Sequence, residues 1–381
     1  MATVFVNGQI LLPEGFVGGR AVLVEQGHIS AIVDGSDARV QGSARVDLAG
    51  RQLLPGFVDV QVNGGGAVLF NDSPTVEGIR TIAAAHARFG TTAFLPTLIS
   101  DDMATLARAI AAVDAAIAAG VPGVLGIHIE GPYLNQARKG VHNSAHFQEL
   151  DARAVALLCS LQRGVTLLTL APERADLAVL AQLSAAGVIL AAGHTDATAG
   201  EIAAARRNGL RGFTHLFNAM SQLTAREPGA VGAALGEDES YCGIIVDGKH
   251  VDARVLKVAL RAKRHDRFML VTDAMPAVGS NSTSFQLQGR TIKVTDDYCV
   301  DEHGTLAGTA LDMSRAVRNA VSLLGLPLAE AVRMASDYPA RFLGLASSHG
   351  RIEPGLRADF AIADDSGKIH ETWIGGRRIA P

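Results

Sequence analysis

Two histidines and one glutamate have the residue types and surroundings of a divalent metal site. His194 stands in Ala-Ala-Gly-His-Thr-Asp and His215 in Phe-Thr-His-Leu-Phe-Asn, each at the end of an apolar run. Either histidine alone is typical of an ordinary hydrogen-bonded residue. Glu130, in His-Ile-Glu-Gly-Pro, favours the metal site because a carboxylate that leaves an apolar strand is costly to bury without a partner. Two imidazoles and one carboxylate form the open three-ligand arrangement of hydrolytic metal sites.

Two further residues are candidates for proton transfer and carbonyl polarisation. Asp273 follows the apolar run Phe-Met-Leu-Val-Thr, where it could cap the next segment or act as a general base toward water and then as an acid toward the leaving group. His142, in Lys-Gly-Val-His-Asn, is either an exposed loop histidine or a group that polarises a carbonyl. The pattern favours the general base for Asp273, whereas both interpretations of His142 stay open on these residues alone.

Three basic side chains remain near these motifs. His128 lies two residues before Glu130 and should point to the same side of its strand, as a spare ligand or, preferably, as a partner behind the ligands. The planar guanidinium of Arg226 suits a phosphate, although a lone arginine is usually a solvated surface residue. His250 follows a further apolar run and adds a donor near the same face.

The middle of the chain predicts the elements that position these residues. Apolar runs alternate with amphipathic, Ala-rich stretches at Val76 to Phe89, Asp151 to Gln162 and Thr198 to Asn208. The eight runs are Phe57 to Val62, Thr92 to Thr97, Val124 to Ile129, Thr166 to Leu170, Val188 to Gly193, Gly212 to His215, Cys242 to Val246 and Phe268 to Thr272. Eight parallel strands with intervening helices favour a closed α/β barrel of the (β/α)₈ type, whose catalytic groups lie at the carboxyl ends of the strands. No G-x-G-x-x-G follows a strand, so a dinucleotide site loses its main support.

The two ends of the chain have a different pattern of apolar and polar residues from the middle. Alternating apolar and polar residues predict short strands at Thr3 to Val6, Arg20 to Glu25 and His28 to Val33, and again at Arg357 to Ile362 and Lys368 to Ile374. We therefore expect a small β-sandwich built from both termini. The predicted divisions are 1–54 and 346–381 for the sandwich and 55–345 for the barrel.

Composition excludes several classes of function. The 381 residues contain 34 basic and 38 acidic side chains, a net charge of −4 that gives no basic surface for nucleic acid. We see neither a basic amino-terminal leader pattern nor an apolar run long enough to span a membrane. Cys159, Cys242 and Cys299 are far apart and odd in number, which predicts buried free thiols in a reducing cytoplasm.

Seven segments in order along the chain together resemble the N-acetylglucosamine-6-phosphate deacetylase family of the amidohydrolase superfamily. Each segment is weak alone, but the ordered set is specific. The segments are Pro-Gly-Phe-Val-Asp-Val-Gln-Val-Asn-Gly-Gly-Gly (55–66), His-Ile-Glu-Gly-Pro-Tyr-Leu-Asn (128–135), Gly-His-Thr-Asp-Ala (193–197), Thr-His-Leu-Phe-Asn-Ala-Met (214–220), Asp-Gly-Lys-His (247–250), Val-Thr-Asp-Ala (271–274) and Leu-Ala-Gly (306–308).

The resemblance implies hydrolysis of the N-acetyl group of N-acetyl-D-glucosamine 6-phosphate to D-glucosamine 6-phosphate and acetate. It implies that Glu130, His194 and His215 hold Zn²⁺, that Asp273 is the acid and base, and that His142 polarises the acetyl carbonyl. It further implies a homodimer in which Arg226 from one subunit and His250 from the other bind the phosphate. The implied substrate-binding residues are Val141, His142, Asn218, Ala219, Arg226, His250, Leu306, Ala307 and Gly308.

One departure from the broader superfamily concerns the number of metal ions. The first strand usually ends in His-x-His, whereas this chain has Gln61-Val62-Asn63. Neutral amides are poor ligands for a transition metal compared with imidazole, so we expect a vacant second-metal position and one metal per active site. The alternatives are another amidohydrolase that acts on a cyclic amide, and a metal-free isomerase or noncatalytic sugar-phosphate binder on the same barrel.

Overall fold

The structure of the protein is a computed structural model that describes residues 2–379. The strands are β1 (Thr3–Val6), β2 (Gln9–Leu12), β3 (Gly15–Val17), β4 (Arg20–Glu25), β5 (His28–Asp34), β6 (Ala44–Asp47), β7 (Gln52–Pro55), β8 (Phe57–Val62), β9 (Gly64–Gly65), β10 (Val68–Leu69), β11 (Thr91–Ile99), β12 (Gly126–Glu130), β13 (Val165–Leu170), β14 (Ile189–Ala192), β15 (Leu210–Phe213), β16 (Tyr241–Ile244), β17 (Phe268–Leu270), β18 (Ser284–Leu287), β19 (Arg290–Thr295), β20 (Tyr298–Val300), β21 (Leu306–Thr309), β22 (Phe360–Ala363), β23 (Ile369–Ile374) and β24 (Arg377–Arg378). The helices are α1 (Ala38–Gln41), α2 (Val76–Ala87), α3 (Met103–Ala118), α4 (Ala152–Leu158), α5 (Leu177–Ala185), α6 (Ala199–Arg207), α7 (Gly229–Gly236), α8 (Ala253–Ala262), α9 (Met313–Leu324), α10 (Leu328–Met334) and α11 (Asp337–Phe342).

The predicted barrel is confirmed, and each of its eight strands matches one of the predicted apolar runs. Strands β8 and β11 to β17 pair in parallel in that order around one sheet. A parallel bridge between Val62 and Ala274 joins the two ends of the sheet. The strands are almost wholly buried because the barrel interior covers one face and the helices cover the other.

Short polar residues begin the helices between the strands. Thr75 caps α2 through a bond from the Gly78 amide, and Thr198 forms a capping box with Glu201 at α6. The helices predicted near residues 76, 151 and 198 are therefore present as α2, α4 and α6, with ends that differ by a few residues. Each returns the chain to the start of the next barrel strand.

Both termini form one β-sandwich, as expected. One sheet has the order β5, β4, β1, β6, and the other has the order β24, β23, β22, β7, β2, β3. The Phe5 ring packs edge-on against Phe360 at 5.0 Å and against Trp373 at 4.9 Å, so residues from opposite ends of the chain share one core. β7 ends at Pro55 and the first barrel strand begins at Phe57.

A further sheet, which the sequence analysis did not predict, follows the last barrel strand. We call β18 to β21 the inserted sheet; its strands pair antiparallel in chain order. Its apolar side packs against Leu69, Ile99 and Met275, which lie at or beyond the carboxyl ends of barrel strands. The signal that could have revealed it is the alternation in Ser-Phe-Gln-Leu and Arg-Thr-Ile-Lys-Val-Thr around Gln288-Gly289.

The three cysteines are free, but the prediction that all are buried is wrong for one of them. Cys242 and Cys299 are buried, whereas Cys159 is exposed. It stands at the carboxyl end of α4, beyond the face that the helix buries against the barrel. None of the helices between residues 2 and 379 combines the length and apolar character needed to cross a bilayer.

Asp59 secures the seam between the first and last barrel strands. Its carboxylate accepts a hydrogen bond from the Thr272 hydroxyl at 2.5 Å and one from the Gln61 amide at 3.2 Å. The residue is fully buried, and burial raises the pKa of its carboxyl to about 7. The same carboxyl therefore links the residue before Asp273 to the strand that carries Gln61.

We predict that Asp59→Asn changes the pH dependence of stability. Because the pKa of Asp59 rises from 3.8 to about 7 on folding, the folded chain keeps a proton that the unfolded chain loses. The contribution of Asp59 to the free energy of unfolding must then fall as pH rises from about 4 to about 7. Since asparagine does not ionise, the stability of the variant relative to the parent should increase between pH 5 and pH 8, measured by urea unfolding.

Comparing the same pair of proteins at two pH values cancels any constant effect of the amide. A stability difference that does not change with pH would contradict the raised pKa.

Candidate active site

The three predicted metal ligands meet at the carboxyl ends of the barrel strands. Glu130 is the last residue of β12, and His194 and His215 each follow the end of β14 or β15 by two residues. Glu130 Oε1 lies 3.1 Å from His194 Nε2 and 3.0 Å from His215 Nε2, and the two Nε2 atoms are 3.1 Å apart. All three side chains are buried.

This cluster fits a divalent metal ion. The backbone carbonyl of Arg138 can only accept, so the 2.9 Å contact from His194 Nδ1 places the proton on Nδ1 and leaves a lone pair on Nε2. That lone pair faces a carboxylate oxygen and a second imidazole nitrogen, an arrangement that repels unless a cation or proton lies between them. Ligands about 2.0–2.2 Å from a tetrahedral zinc ion lie roughly 3.3–3.5 Å apart, close to the separations observed.

Electrostatics within the cluster favour an ionised glutamate. Burial alone would raise the pKa of Glu130, but the neighbouring imidazoles of His194 and His215 outweigh it and hold the pKa well below the ordinary 4.5. The Nδ1 atom of His215 is buried, and no described residue forms a hydrogen bond with it. The pair of imidazoles around one carboxylate therefore offers a charged oxygen and two nitrogens to a cation.

The backbone is strained at several of these residues. His194, His215 and Asp273 have φ angles of 50°, 32° and 50°, in the left-handed region that non-glycine residues rarely occupy. Each lies just beyond a barrel strand, where a left-handed residue turns the chain sharply. Such strain is tolerated where surrounding structure fixes it, and it clusters at functional sites.

Asp273 is held beside the cluster by two amides. Its Oδ1 atom accepts hydrogen bonds from Gln61 Nε2 at 3.1 Å and from Asn63 Nδ2 at 2.7 Å. Burial, and then the charge of Glu130, raise the pKa of Asp273 to about 6. A carboxyl with this pKa can both take up and release a proton near neutral pH.

Gln61 also reaches the glutamate. Its Nε2 atom donates to Glu130 Oε2 at 3.1 Å as well as to Asp273. Amide N–H groups thus lie where the sequence analysis placed a vacant second-metal position, and they donate to the surrounding carboxylates. This arrangement supports the prediction of a single metal ion.

His142 presents one ring nitrogen to the same centre. Its Nδ1 atom lies 3.4 Å from the Ser100 backbone amide and 2.8 Å from the Ser100 hydroxyl, so Nδ1 accepts and Nε2 carries the proton. Nε2 is 3.9 Å from Glu130 Oε1. Burial, and then the neighbouring His194, lower the pKa of His142 to about 3. The neutral ring is therefore a hydrogen-bond donor toward the cluster.

His128 lies deeper in the barrel. Its Nε2 atom is 2.7 Å from Thr169 Oγ1, which in turn is 2.6 Å from Thr214 Oγ1. Burial lowers the pKa of His128 to about 4, so the ring is neutral. The structure places it in a chain of hydroxyl groups below the cluster and outside the group of converging ligand atoms.

A cavity of about 320 Å³ opens above the cluster and collects most of the predicted substrate-binding residues. Ala307 is buried outside its lining, and Arg226 is exposed on the loop before α7. His250 is held by Asp247, whose Oδ2 atom lies 2.6 Å from His250 Nδ1. The predicted residues in the lining are Glu130, Val141, His142, His194, His215, Asn218, Ala219, His250, Asp273, Leu306 and Gly308.

Arg138 also lines the cavity, although the sequence analysis did not select it. Its carbonyl orients His194, and its guanidinium is paired with Asp196 at 2.8 Å. Its position in Gln-Ala-Arg-Lys-Gly, just before His142, is the only signal in the sequence, and a basic residue in a loop is usually a solvated one. Only the folded structure shows that Arg138 lies beside His194.

Comparison with known proteins agrees with this geometry. A model of the amidohydrolase family matches residues 52–379. The chain belongs to the amidohydrolase family. This amidohydrolase is 44% identical over 327 residues, 86% of its length and 83% of the relative, to N-acetylgalactosamine-6-phosphate deacetylase of Shewanella sp. (strain ANA-3). It is 34% identical to N-acetylglucosamine-6-phosphate deacetylase of Haemophilus influenzae, with 94% of each chain covered.

A solved structure extends the agreement to the whole fold of the amidohydrolase. The crystal structure of N-acetylglucosamine-6-phosphate deacetylase from Pasteurella multocida superposes with a TM-score of 0.96 at 34% identity and full coverage of both chains. The barrel and the terminal sandwich are therefore shared with that enzyme.

We predict that purified amidohydrolase carries one divalent ion per chain and that His194→Ala lowers bound metal by more than about tenfold, because it removes one of three protein ligands. Elemental analysis after gel filtration measures both quantities. The matched control is His303→Ala, since His303 is largely exposed and its imidazole pairs with Glu302 at 3.6 Å. Two tightly held ions per chain would contradict the single site.

Proposed function

We propose that this amidohydrolase removes the N-acetyl group of N-acetyl-D-glucosamine 6-phosphate, giving D-glucosamine 6-phosphate and acetate. One observation carries the proposal: Glu130, His194, His215, Asp273 and His142 converge in one cavity. The relatives named above, which are 6-phosphate deacetylases of acetylated amino sugars, support the choice of substrate.

Glu130, His194 and His215 would hold one Zn²⁺ per subunit. An ion bound there supplies Lewis acidity, which makes water more nucleophilic and stabilises negative charge on the acetyl oxygen. The ligand set of two imidazoles and one carboxylate is typical of catalytic zinc. The amides of Gln61 and Asn63 favour a single ion because their N–H groups are already directed at carboxylates.

Asp273 moves the proton. In its ionised form it accepts a proton from the attacking water, and it then donates that proton to the departing amine. The two amide bonds go to Oδ1, so Oδ2 remains available for the transfer. A pKa raised by burial and by Glu130 allows the same carboxyl to serve in both directions.

His142 stabilises the charge that develops on the acetyl oxygen. Because its Nδ1 accepts from Ser100, the Nε2–H donor is fixed in the orientation that faces the metal ligands. A neutral donor that is already oriented before reaction avoids reorganisation when charge appears.

The remaining cavity residues would hold the sugar phosphate. Val141, Asn218, Ala219, Leu306 and Gly308 line the cavity, and Ala307, between two of these in the chain, is buried outside the lining. His250 would bind the phosphate from within the same chain, and the exposed Arg226 would reach it from the partner subunit of a homodimer. Since a sugar phosphate is an anion that does not cross a lipid bilayer readily, we place the enzyme in the cytoplasm.

A second candidate substrate is the 4-epimer, N-acetyl-D-galactosamine 6-phosphate. The 44% identical Shewanella relative carries that name, whereas the 34% identical Haemophilus relative carries the gluco name. The acetamide and the phosphate are the same in both sugars, so the same catalytic residues would serve either.

The proposal is tested by acetate release from both 6-phosphates and from the two sugars without phosphate. We expect efficient release from the gluco 6-phosphate and at least about tenfold lower kcat/KM without the phosphate, because a charged contact is lost. Turnover confined to the galacto 6-phosphate would identify the second candidate. Release from a cyclic amide alone, or binding of sugar phosphate without turnover, would overturn deacetylation.

Asp273→Asn is the catalytic control for that experiment. It should keep its metal and substrate affinity but lose at least about a hundredfold in kcat, since the amide cannot take up the proton.

A mixing experiment tests the contribution of Arg226 across the subunit interface. Arg226→Ala should weaken binding of the 6-phosphate, and Asp273→Asn should abolish turnover. If Arg226 acts on the partner's site, a mixed dimer of the two variants contains one site with both Asp273 and Arg226 intact. Refolding or exchanging the two variants together should therefore give, at low substrate concentration, a higher rate than either variant alone. Absence of any such increase, with mixed dimers shown to form, would place Arg226 outside the partner's site.

A further inference from the structure

A tight turn of the inserted sheet reaches the site from a distant part of the chain. β18 and β19 pair from Ser284 with Lys293 to Leu287 with Arg290, which leaves Gln288 and Gly289 as a two-residue loop. Their φ angles are 48° and 82°, the positive pair that a type I′ turn requires. Asparagine, aspartate and glycine are the usual residues at the first position, so a glutamine there is unfavourable for the turn itself.

The side chain of Gln288 makes contacts that explain its presence. Its Nε2 atom donates to the backbone carbonyl of Ser100 at 2.6 Å. Its Oε1 atom accepts from the backbone amide of Asn143 at 3.1 Å. The amide group is thus used at both ends, and it joins two loops that lie at the carboxyl ends of different barrel strands.

Both contacts lie directly beside His142. Ser100 provides the hydroxyl and the backbone amide that face His142 Nδ1, and Asn143 is the next residue after His142. Gln288 therefore fixes the residue that sets the tautomer of His142 and also the chain that carries the ring. A displacement of either loop would move the Nε2–H donor relative to the metal ligands.

We propose that Gln288 is a positioning residue for His142, holding the imidazole in the orientation that polarises the acetyl carbonyl. The catalytic part of this role rests on the proposed function. The contacts of Gln288 with Ser100 and Asn143 do not depend on it. Gln288 is not among the residues that line the cavity, so it acts through the loops of Ser100 and Asn143.

The inserted sheet also contacts the opposite side of the cavity, which must be separated from this effect. The Thr309 amide donates to the Asp273 carbonyl at 3.0 Å, and Leu306 and Gly308 line the cavity. Loss of the whole sheet would therefore disturb proton transfer and sugar binding as well. The test must change the side chain of Gln288 while it keeps the turn.

Gln288→Asn meets this requirement. Asn-Gly is the preferred sequence of a type I′ turn, so the hairpin should be at least as stable, but the amide is one methylene shorter and cannot span both loops. Gln288→Ala removes the amide altogether. The matched control is Gln286→Ala, two residues earlier in the same hairpin, because the side chain of the exposed Gln286 bonds, among residues 2–379, only to Thr291 of β19.

We expect kcat to fall about 10- to 100-fold in both Gln288 variants, with metal content unchanged and KM changed by less than about threefold, because the misplaced donor acts mainly in the transition state. Gln286→Ala should keep wild-type kinetics. A wild-type kcat in Gln288→Asn and Gln288→Ala would overturn the proposal, and so would a loss that appears only in KM.

A double-mutant cycle shows whether the effect passes through His142. In a His142→Gln background, Gln288→Ala should reduce kcat by less than about twofold, since there is no imidazole left to position. Equal losses in both backgrounds would mean that Gln288 acts on another part of the site and would overturn the assignment.

Hydrogen exchange separates failure of this inference from failure of the proposed function. The amide of Asn143, and the backbone around Ser100, should exchange faster in Gln288→Ala than in wild type, with no change in Gln286→Ala. This result would support the contacts even if the wild-type protein released no acetate. Unchanged exchange in these segments of an active enzyme would overturn the positioning role alone.

Discussion

Electrostatic repulsion among three convergent acceptor groups governs the site. Two imidazole nitrogens and a carboxylate oxygen lie 3.0 to 3.1 Å apart in a buried space, and only a positive charge makes that arrangement favourable. The folding of the barrel offsets the unfavourable free energy of bringing these groups together. It places His194 and His215, which are 64 and 85 residues from Glu130 in the chain, at the same rim. The left-handed backbone at both histidines shows that local preference was overridden to achieve this.

The amides at the end of β8 determine what kind of hydrolytic centre this is. An imidazole at position 61 or 63 would offer a lone pair to a second cation, whereas the amides of Gln61 and Asn63 offer N–H groups to Asp273. Gln61, a neutral donor, thus bridges the two buried carboxylates of Glu130 and Asp273. Burial and then the charge of Glu130 keep the pKa of Asp273 elevated, and a carboxyl with that property can carry a proton between water and an amine.

Much of the candidate site could be predicted because polar residues at the ends of apolar runs are a local signal. Glu130, His194, His215 and Asp273 were selected in this way, and the runs match the barrel strands. The inserted sheet escaped because residues 284–309 form no long apolar run and depend on packing against Leu69 and Ile99. The role inferred for Gln288 depends on contacts 145 and 188 residues away, which no local pattern encodes. Exposure of Cys159 was likewise decided by helix packing.

The sandwich made from both termini has a consequence for how the chain is synthesised. Strand β7 is complete once residue 55 has been made, yet its antiparallel neighbour β22 begins at Phe360. During translation the apolar face around Phe5 therefore stays uncovered until about 300 further residues, most of them in the barrel, have been made and Phe360 and Trp373 can pack against it. Strands β22 and β23, which are made late, thus cover strand β1, which is made early.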